Sequence, residues 1–150
     1  MYSSTKCPRK QQKRPLRRSQ QMKPLRATVI EDDLPIQRLY KLKLEQSGFV
    51  VSVASNGQDG LRIIKEHTPD IVLLDLRMPG MQGDEMLARL RETEWGADIR
   101  VIILTNLSRD EAPARLRYLG VSRYIVKAHH TPAQIVEVVR EVLGLPRTRH

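Results

Sequence analysis

Several ordinary ingredients are scarce or missing in this chain. It has a single cysteine, Cys7, so no disulfide can form within it, and a stapled secreted scaffold is excluded in favour of a reducing compartment. No apolar run approaches the roughly 20 residues needed to cross a bilayer, and no secretory apolar segment follows Met1, so the expectation is a cytoplasmic protein with no membrane partner. Acidic residues are missing from the first 26 positions. That stretch instead carries Lys6, Arg9, Lys10, Lys13, Arg14, Arg17, Arg18, Lys23 and Arg26, and its only aromatic residue is Tyr2.

These nine cations account for the whole formal charge of +9, because the remaining 17 Lys and Arg face 17 Asp and Glu. The basic character therefore belongs to the tail, and the rest of the chain is formally neutral. Residues 1–26, rich in Gln, Ser, Lys, Arg and Pro, cannot bury enough apolar surface to offset their chain entropy and are expected to be disordered. Nucleic-acid binding by such a tail would be sequence-independent and salt-sensitive, and without aromatic stacking it is the weaker expectation. Met22 followed by Lys-Pro-Leu-Arg reads as an alternative chain start.

From Ala27 to about Leu145 the pattern is that of one domain, followed by a short tail over 146–150. Apolar runs at 27–30, 50–54, 71–74, 101–104 and 124–126 read as strands. Between them lie helical patterns: Ile36, Leu39 and Tyr40 with a stop at Gly48; Leu61 and Ile64 after Asn56-Gly57; and Met86, Leu87 and Leu90 from Gly83 to about Arg91. A short fourth helix is expected to start near Ala112, because Pro113 does not suit a longer one, and to end at Gly120. Thr131-Pro-Ala-Gln134 has the capping-box pattern of a fifth helix running to about Gly144. Five β-α units imply an α/β fold, a doubly wound five-stranded parallel sheet of flavodoxin-like order 2-1-3-4-5 with helices on both faces.

The strand covering Ile71–Leu74 has no polar alternation and ends on Asp75, which taken alone reads equally as a cap for the following turn or as a site residue. The other strand ends sharpen this. Glu31 and Asp32, Asp75, Thr105 and Lys127 are each the first polar residues after their apolar runs, and in an open α/β sheet these ends share one rim. Clustered carboxylates repel one another unless a cation is present, and oxygen donors of this kind suit Mg²⁺. A hydroxyl and an ammonium beside such an ion make a cradle for a phosphoryl group.

Through Val29-Ile-Glu-Asp-Asp33, Leu73-Leu-Asp-Leu-Arg-Met-Pro-Gly80, Ile103-Leu-Thr105 and Tyr124-Ile-Val-Lys127 the chain resembles the CheY-like response-regulator receiver domains of two-component signalling. The resemblance implies a phosphoacceptor rather than an enzyme acting on a separate metabolite. Asp75 would take a phosphoryl group from a sensor histidine kinase or phosphotransfer protein. Asp32, Asp75 and the backbone carbonyl of Arg77 would hold Mg²⁺, with Glu31 assisting through water. Lys127 would pair with the phosphate, Thr105 would hydrogen-bond it, and Tyr124 would act with Thr105 as a switch. An output protein, or a second copy in a homodimer, would meet the face of the fourth helix, fifth strand and fifth helix.

The chain departs from the family pattern at Asn106, where a small residue is usual and crowding of the pocket mouth is expected, and at Ala128, where a cis-proline usually places the lysine. It also stops just past its last helix, which reads as a stand-alone receiver or a fragment. Asp33 reads as a helix cap, Asp84-Glu85 as favourable charges at a helix start, Trp95 as a half-buried packing residue, and His129-His130 as a solvated loop.

Overall fold

The computed structural model describes residues 23–148. Cys7, the chain start suggested at Met22 and nearly all of the basic tail lie outside the described residues. Five parallel strands, β1 (Arg26–Ile30), β2 (Val50–Ala54), β3 (Ile71–Leu74), β4 (Arg100–Thr105) and β5 (Val121–Val126), form one sheet in the order β2-β1-β3-β4-β5. This is the expected 2-1-3-4-5 topology. The helices are α1 (Leu34–Gln46), α2 (Gly57–His67), α3 (Gly83–Arg91) and α4 (Pro132–Val142).

The pleat of the central strand divides the core in two. Ile71 and Leu73 point to the side covered by α1 and α4, where Tyr40, Leu44, Ile135 and Val139 close over them. Val72 and Leu74 point to the other side, where Ile64, Met86, Leu87 and Leu90 cover them. Trp95 packs half-buried against this second cluster. Because all four residues of β3 are buried, its first polar successor, Asp75, is delivered to the rim by a strand with no freedom to shift register. Among the described residues, no helix is long and apolar enough to cross a membrane.

Three expectations are corrected. The fourth helix is not α-helical: the chain makes two 3₁₀ turns, Arg109–Glu111 and Ala114–Tyr118, with Ala112 extended between them at φ −71° and ψ 146°. Pro113 explains the break, since its ring pushes the preceding residue out of the helical region and its nitrogen cannot donate. The fifth strand begins at Val121 rather than Tyr124, paired along β4 with a register irregularity at Val101/Ile102. Helix α1 turns Gln37, Tyr40 and Leu44 inward, while Leu39 is exposed. The inward face thus contains a polar residue that an apolar pattern passes over.

At the edge of the sheet where the strands begin, Arg91 closes α3. Its guanidinium donates to the carbonyls of Leu119 at 2.7 Å, Ile99 at 2.7 Å, Gly120 at 2.9 Å and Gly96 at 3.0 Å. Burial lowers its pKa, partly countered by the charge of Asp98.

Candidate functional site

The site lies where the strands end. Glu31 follows β1, Asp75 follows β3, Thr105 ends β4 and Lys127 follows β5. Oxygens of Glu31, Asp32 and Asp75 all lie within 4.8 Å of one another. Glu31 and Asp75 are buried and Asp32 is exposed, so the cluster has two carboxylates in the floor and one on the solvent side. The β1–α1 loop is fixed from both directions. Asp33 caps α1 by accepting from the Ile36 amide at 3.1 Å, and its own amide donates to Glu31 Oε2 at 3.1 Å. Buried Gln37 donates its side-chain amide to the carbonyls of Glu31 at 2.9 Å and Ala54 at 3.1 Å, which locks the ends of β1 and β2 together.

Lys127 crosses the floor of the site. Its Nζ donates to Asp75 Oδ2 at 3.1 Å and also to Glu31 Oε1. Burial would lower the ammonium pKa, but the hydrogen bond it donates to Glu31 and the charges of Asp75 and Glu31 outweigh it and hold the pKa above the usual lysine value. Burial pushes the Glu31 carboxyl up, offset only in part by Lys127 and the Asp33 amide. This lysine position is reached without the proline: residues Lys127–His129 form a 3₁₀ turn, and the described peptide bonds are all trans.

Asp75 is also braced from behind. The amide of Gly83 donates to the Leu76 carbonyl at 2.9 Å, and a Cβ added at Gly83 would lie 2.1 Å from the Asp75 carbonyl oxygen. Only glycine allows the start of α3 to pack this closely behind the acidic residue. In front, an opening of about 400 Å³ is lined by Asp75, Arg77, Thr105, Asn106, Leu107, Glu111 and Lys127. Asn106 is exposed at this mouth, and buried Thr105 places its Oγ1 3.5 Å from the Leu107 amide. The Arg77 amide is 3.4 Å from Asp75 Oδ1, a long contact that keeps the β3–α3 loop turned over the carboxylate.

The structure therefore brings Glu31, Asp32, Asp75, Arg77, Thr105 and Lys127 to one rim. Tyr124 stands beside the rim on the neighbouring face, its hydroxyl donating to the carbonyls of Leu107 at 2.8 Å and Ser108 at 3.2 Å. The Arg109 guanidinium lies 5.6 Å from its ring centroid, within cation–π range. Gln37 and Glu111 were not among the expected site residues. The Ser108-x-x-Glu111 capping pattern was a signal for the second, and for Gln37 the signal was a polar residue spaced three and seven positions before Tyr40 and Leu44.

The donor set suits a hard divalent cation. Three carboxylates face one ammonium, leaving a formal surplus of two negative charges among hard oxygen donors. Asp32 and the opening leave the cluster accessible from solvent.

Comparison with known proteins agrees with this geometry. The family model described as "Response regulator receiver domain" matches residues 27–140. The chain is 30% identical over 115 residues to the phosphate regulon transcriptional regulatory protein PhoB of Pseudomonas aeruginosa, covering 77% of this chain and 50% of that protein. It thus spans about half the length of that curated relative. It is 28% identical over 121 residues to the polar-differentiation response regulator DivK of Brucella anthropi, covering 81% of this chain and 98% of DivK. Chemotaxis protein CheY4 of Vibrio cholerae superposes with a TM-score of 0.74 at 20% identity, covering 79% of this chain and 98% of that one, a likeness of fold.

Proposed function

Because the chain belongs to the response-regulator receiver family, whose members are signalling phosphoacceptors, we propose that Asp75 is the phosphoacceptor of a two-component relay. The donor is a phosphohistidine on a sensor kinase or phosphotransfer protein in the cytoplasm. The observation that supports this best is the Lys127 ammonium, held between the two buried carboxylates of Glu31 and Asp75 at the mouth-facing ends of β1, β3 and β5.

In the transfer, an Asp75 oxygen forms the new O–P bond as the donor's N–P bond breaks, and the released imidazole takes up a proton. Asp32, Asp75 and the Arg77 carbonyl would hold Mg²⁺, with Glu31 assisting through water, and the ion would supply positive charge to offset that of the phosphoryl oxygens. Lys127 is placed to pair with one of those oxygens, because its amine already lies 3.1 Å from Asp75 Oδ2. The Thr105 hydroxyl, buried in the same opening, supplies a further donor. As Thr105 turns toward the phosphoryl group, Tyr124 moves into the vacated space, giving up its bonds to the Leu107 and Ser108 carbonyls. That repacking alters the face formed by residues 109–118, β5 and α4, where an output protein or a second copy of the chain docks.

The test is incubation with acetyl phosphate and Mg²⁺ followed by intact mass and peptide mapping. One phosphoryl group should appear on Asp75, and Asp75→Asn should take none. Normal labelling of that variant at another residue would overturn the assignment.

A further inference from the structure

Glu111 lies at the mouth of the phosphoacceptor opening, on the first 3₁₀ turn after β4, just before the residues expected to be helical. Its Oε1 accepts from the Ser108 amide at 3.0 Å and from the Ser108 hydroxyl at 3.1 Å, a reciprocal capping box. Two donors on one oxygen fix the orientation of this solvent-exposed carboxylate beside the mouth. The Ser108 bonds keep its pKa below the usual glutamate value, and the charge of Arg77, on the same opening, adds to this. The site therefore has a fixed anion at its entrance in addition to the three carboxylates within it.

A capping box does not require that charge. Glutamine fills the same position in such boxes, since only an acceptor oxygen is needed. The capping bonds do not account for the charge; together with Arg77 it lines the opening that leads from solvent to Asp75.

We infer that Glu111 is a charge gate that sets donor specificity: it slows phosphorylation by small anionic phosphodonors diffusing in from solution, relative to a phosphohistidine presented by a docked protein. This rests on Asp75 being the phosphoacceptor. A free donor meets the full repulsion as it enters and has little else to hold it. A protein donor is held by contacts outside the mouth, so the same repulsion is a minor part of its encounter. The gate acts without entering the chemistry. Because it is a charge effect, it scales with donor charge and falls with ionic strength.

The experiment compares wild type with Glu111→Gln and Glu111→Ala by intact mass over time, with dianionic acetyl phosphate and singly charged phosphoramidate, in Mg²⁺ at low salt and at 1 M salt. Glu111→Gln should label with acetyl phosphate about two- to fivefold faster than wild type at low salt, the size of a unit charge acting across about a nanometre of wet protein surface. The gain should be smaller with phosphoramidate and should nearly vanish at 1 M salt, where the screening length is about 3 Å. Glu111→Ala should share the gain in rate but melt at a lower temperature, because it also loses the capping box. Equal rates for wild type and Glu111→Gln with both donors at low salt would overturn the gate. So would a gain that is the same for both donors and survives high salt, which would mark a change of structure rather than of charge. If the wild-type protein takes no label on Asp75, the phosphoacceptor reading itself fails and takes the gate with it.

Discussion

The Lys127 ammonium lies 3.1 Å from Asp75 Oδ2 although β4 separates the strands that carry the two residues. Both side chains are about nine-tenths buried, at 10% and 8% exposure, so the pair spans the floor of the site rather than its surface. Lys127→Met would leave Glu31 and Asp75 facing each other without a cation, at an expected loss of about 3 kcal/mol in Mg²⁺-free buffer. Urea melts with and without Mg²⁺ check this: the ion should stabilise the variant more than it stabilises wild type, because no ammonium would then compete with it for the Glu31 and Asp75 oxygens.

The same variant has a pH signature. Burial already raises the folded Glu31 carboxyl above its ordinary value of 4.5, so its contribution to stability is fully present below that value and is lost as pH rises through the folded pKa. Removing the Lys127 charge raises the folded pKa further. The variant should therefore recover stability on acidification over a range that begins at higher pH than in wild type. Melting temperatures in Mg²⁺-free buffers from neutral pH down to about pH 4.5 would show this, and parallel curves for the two proteins would contradict it.

Gln37→Leu tests the clamp under the acidic loop. The substitution keeps the bulk of the inward face of α1 but leaves the Glu31 carbonyl without its 2.9 Å donor in a buried place. The expected cost is about 2 kcal/mol. A weaker Mg²⁺ affinity, measured by calorimetric titration, should accompany it, because Glu31 and Asp32 lie on the loop that Gln37 holds.

Tyr40 is 6% exposed and, among the described residues, its hydroxyl has no hydrogen-bond partner. Burial raises its pKa, so the neutral phenol is favoured in the folded state and its contribution is lost as pH climbs through the folded value, in the alkaline range above 10. Tyr40→Phe should stay within about 1 kcal/mol of wild type at neutral pH. Above pH 10, where the tyrosine ionises on unfolding, it should lose stability less steeply than wild type.

Beryllofluoride with Mg²⁺ should shift backbone amides around Thr105–Glu111 and along β5 near Tyr124, read by heteronuclear NMR. The hydroxyl of Tyr124 bonds to carbonyls of that very segment, so the two regions should respond together. Shifts confined to residues beside Asp75 would separate the pocket from the face.

Much of this was legible because the strands are buried on both faces. Ile71–Leu74 and Val101–Leu104 have no polar residue to confuse their reading, and the first polar residue after each marks its end. The shared rim of Glu31, Asp32, Asp75, Thr105 and Lys127 was legible for that reason. The segment after β4 was not, because its helical signal consisted of Leu116 and Leu119 beside a proline, too little buried surface to overcome the missing hydrogen bond at Pro113. Gln37 escaped because its role depends on carbonyls at the ends of two strands that only the fold brings together, and the mouth position of Glu111 follows from a 3₁₀ turn that precedes the expected helix start near Ala112.

Arg91 gives the molecule a fixed end. By gripping the Leu119 and Gly120 carbonyls along with those of Gly96 and Ile99, it fastens the segment carrying Ser108 to Tyr118 at the edge of the sheet farthest from Asp75. At the near end that segment is held by the Tyr124 hydroxyl, a contact that a rotation of one side chain releases. The middle of the segment is held as well, by the 2.9 Å pair of Arg115 with Asp84 on α3 and by buried Leu116, so displacement should be largest at Leu107 and fade before Arg115. A change at Asp75 would then travel in one direction along the chain, outward from the acidic cluster and damped before it reaches the base of the fold.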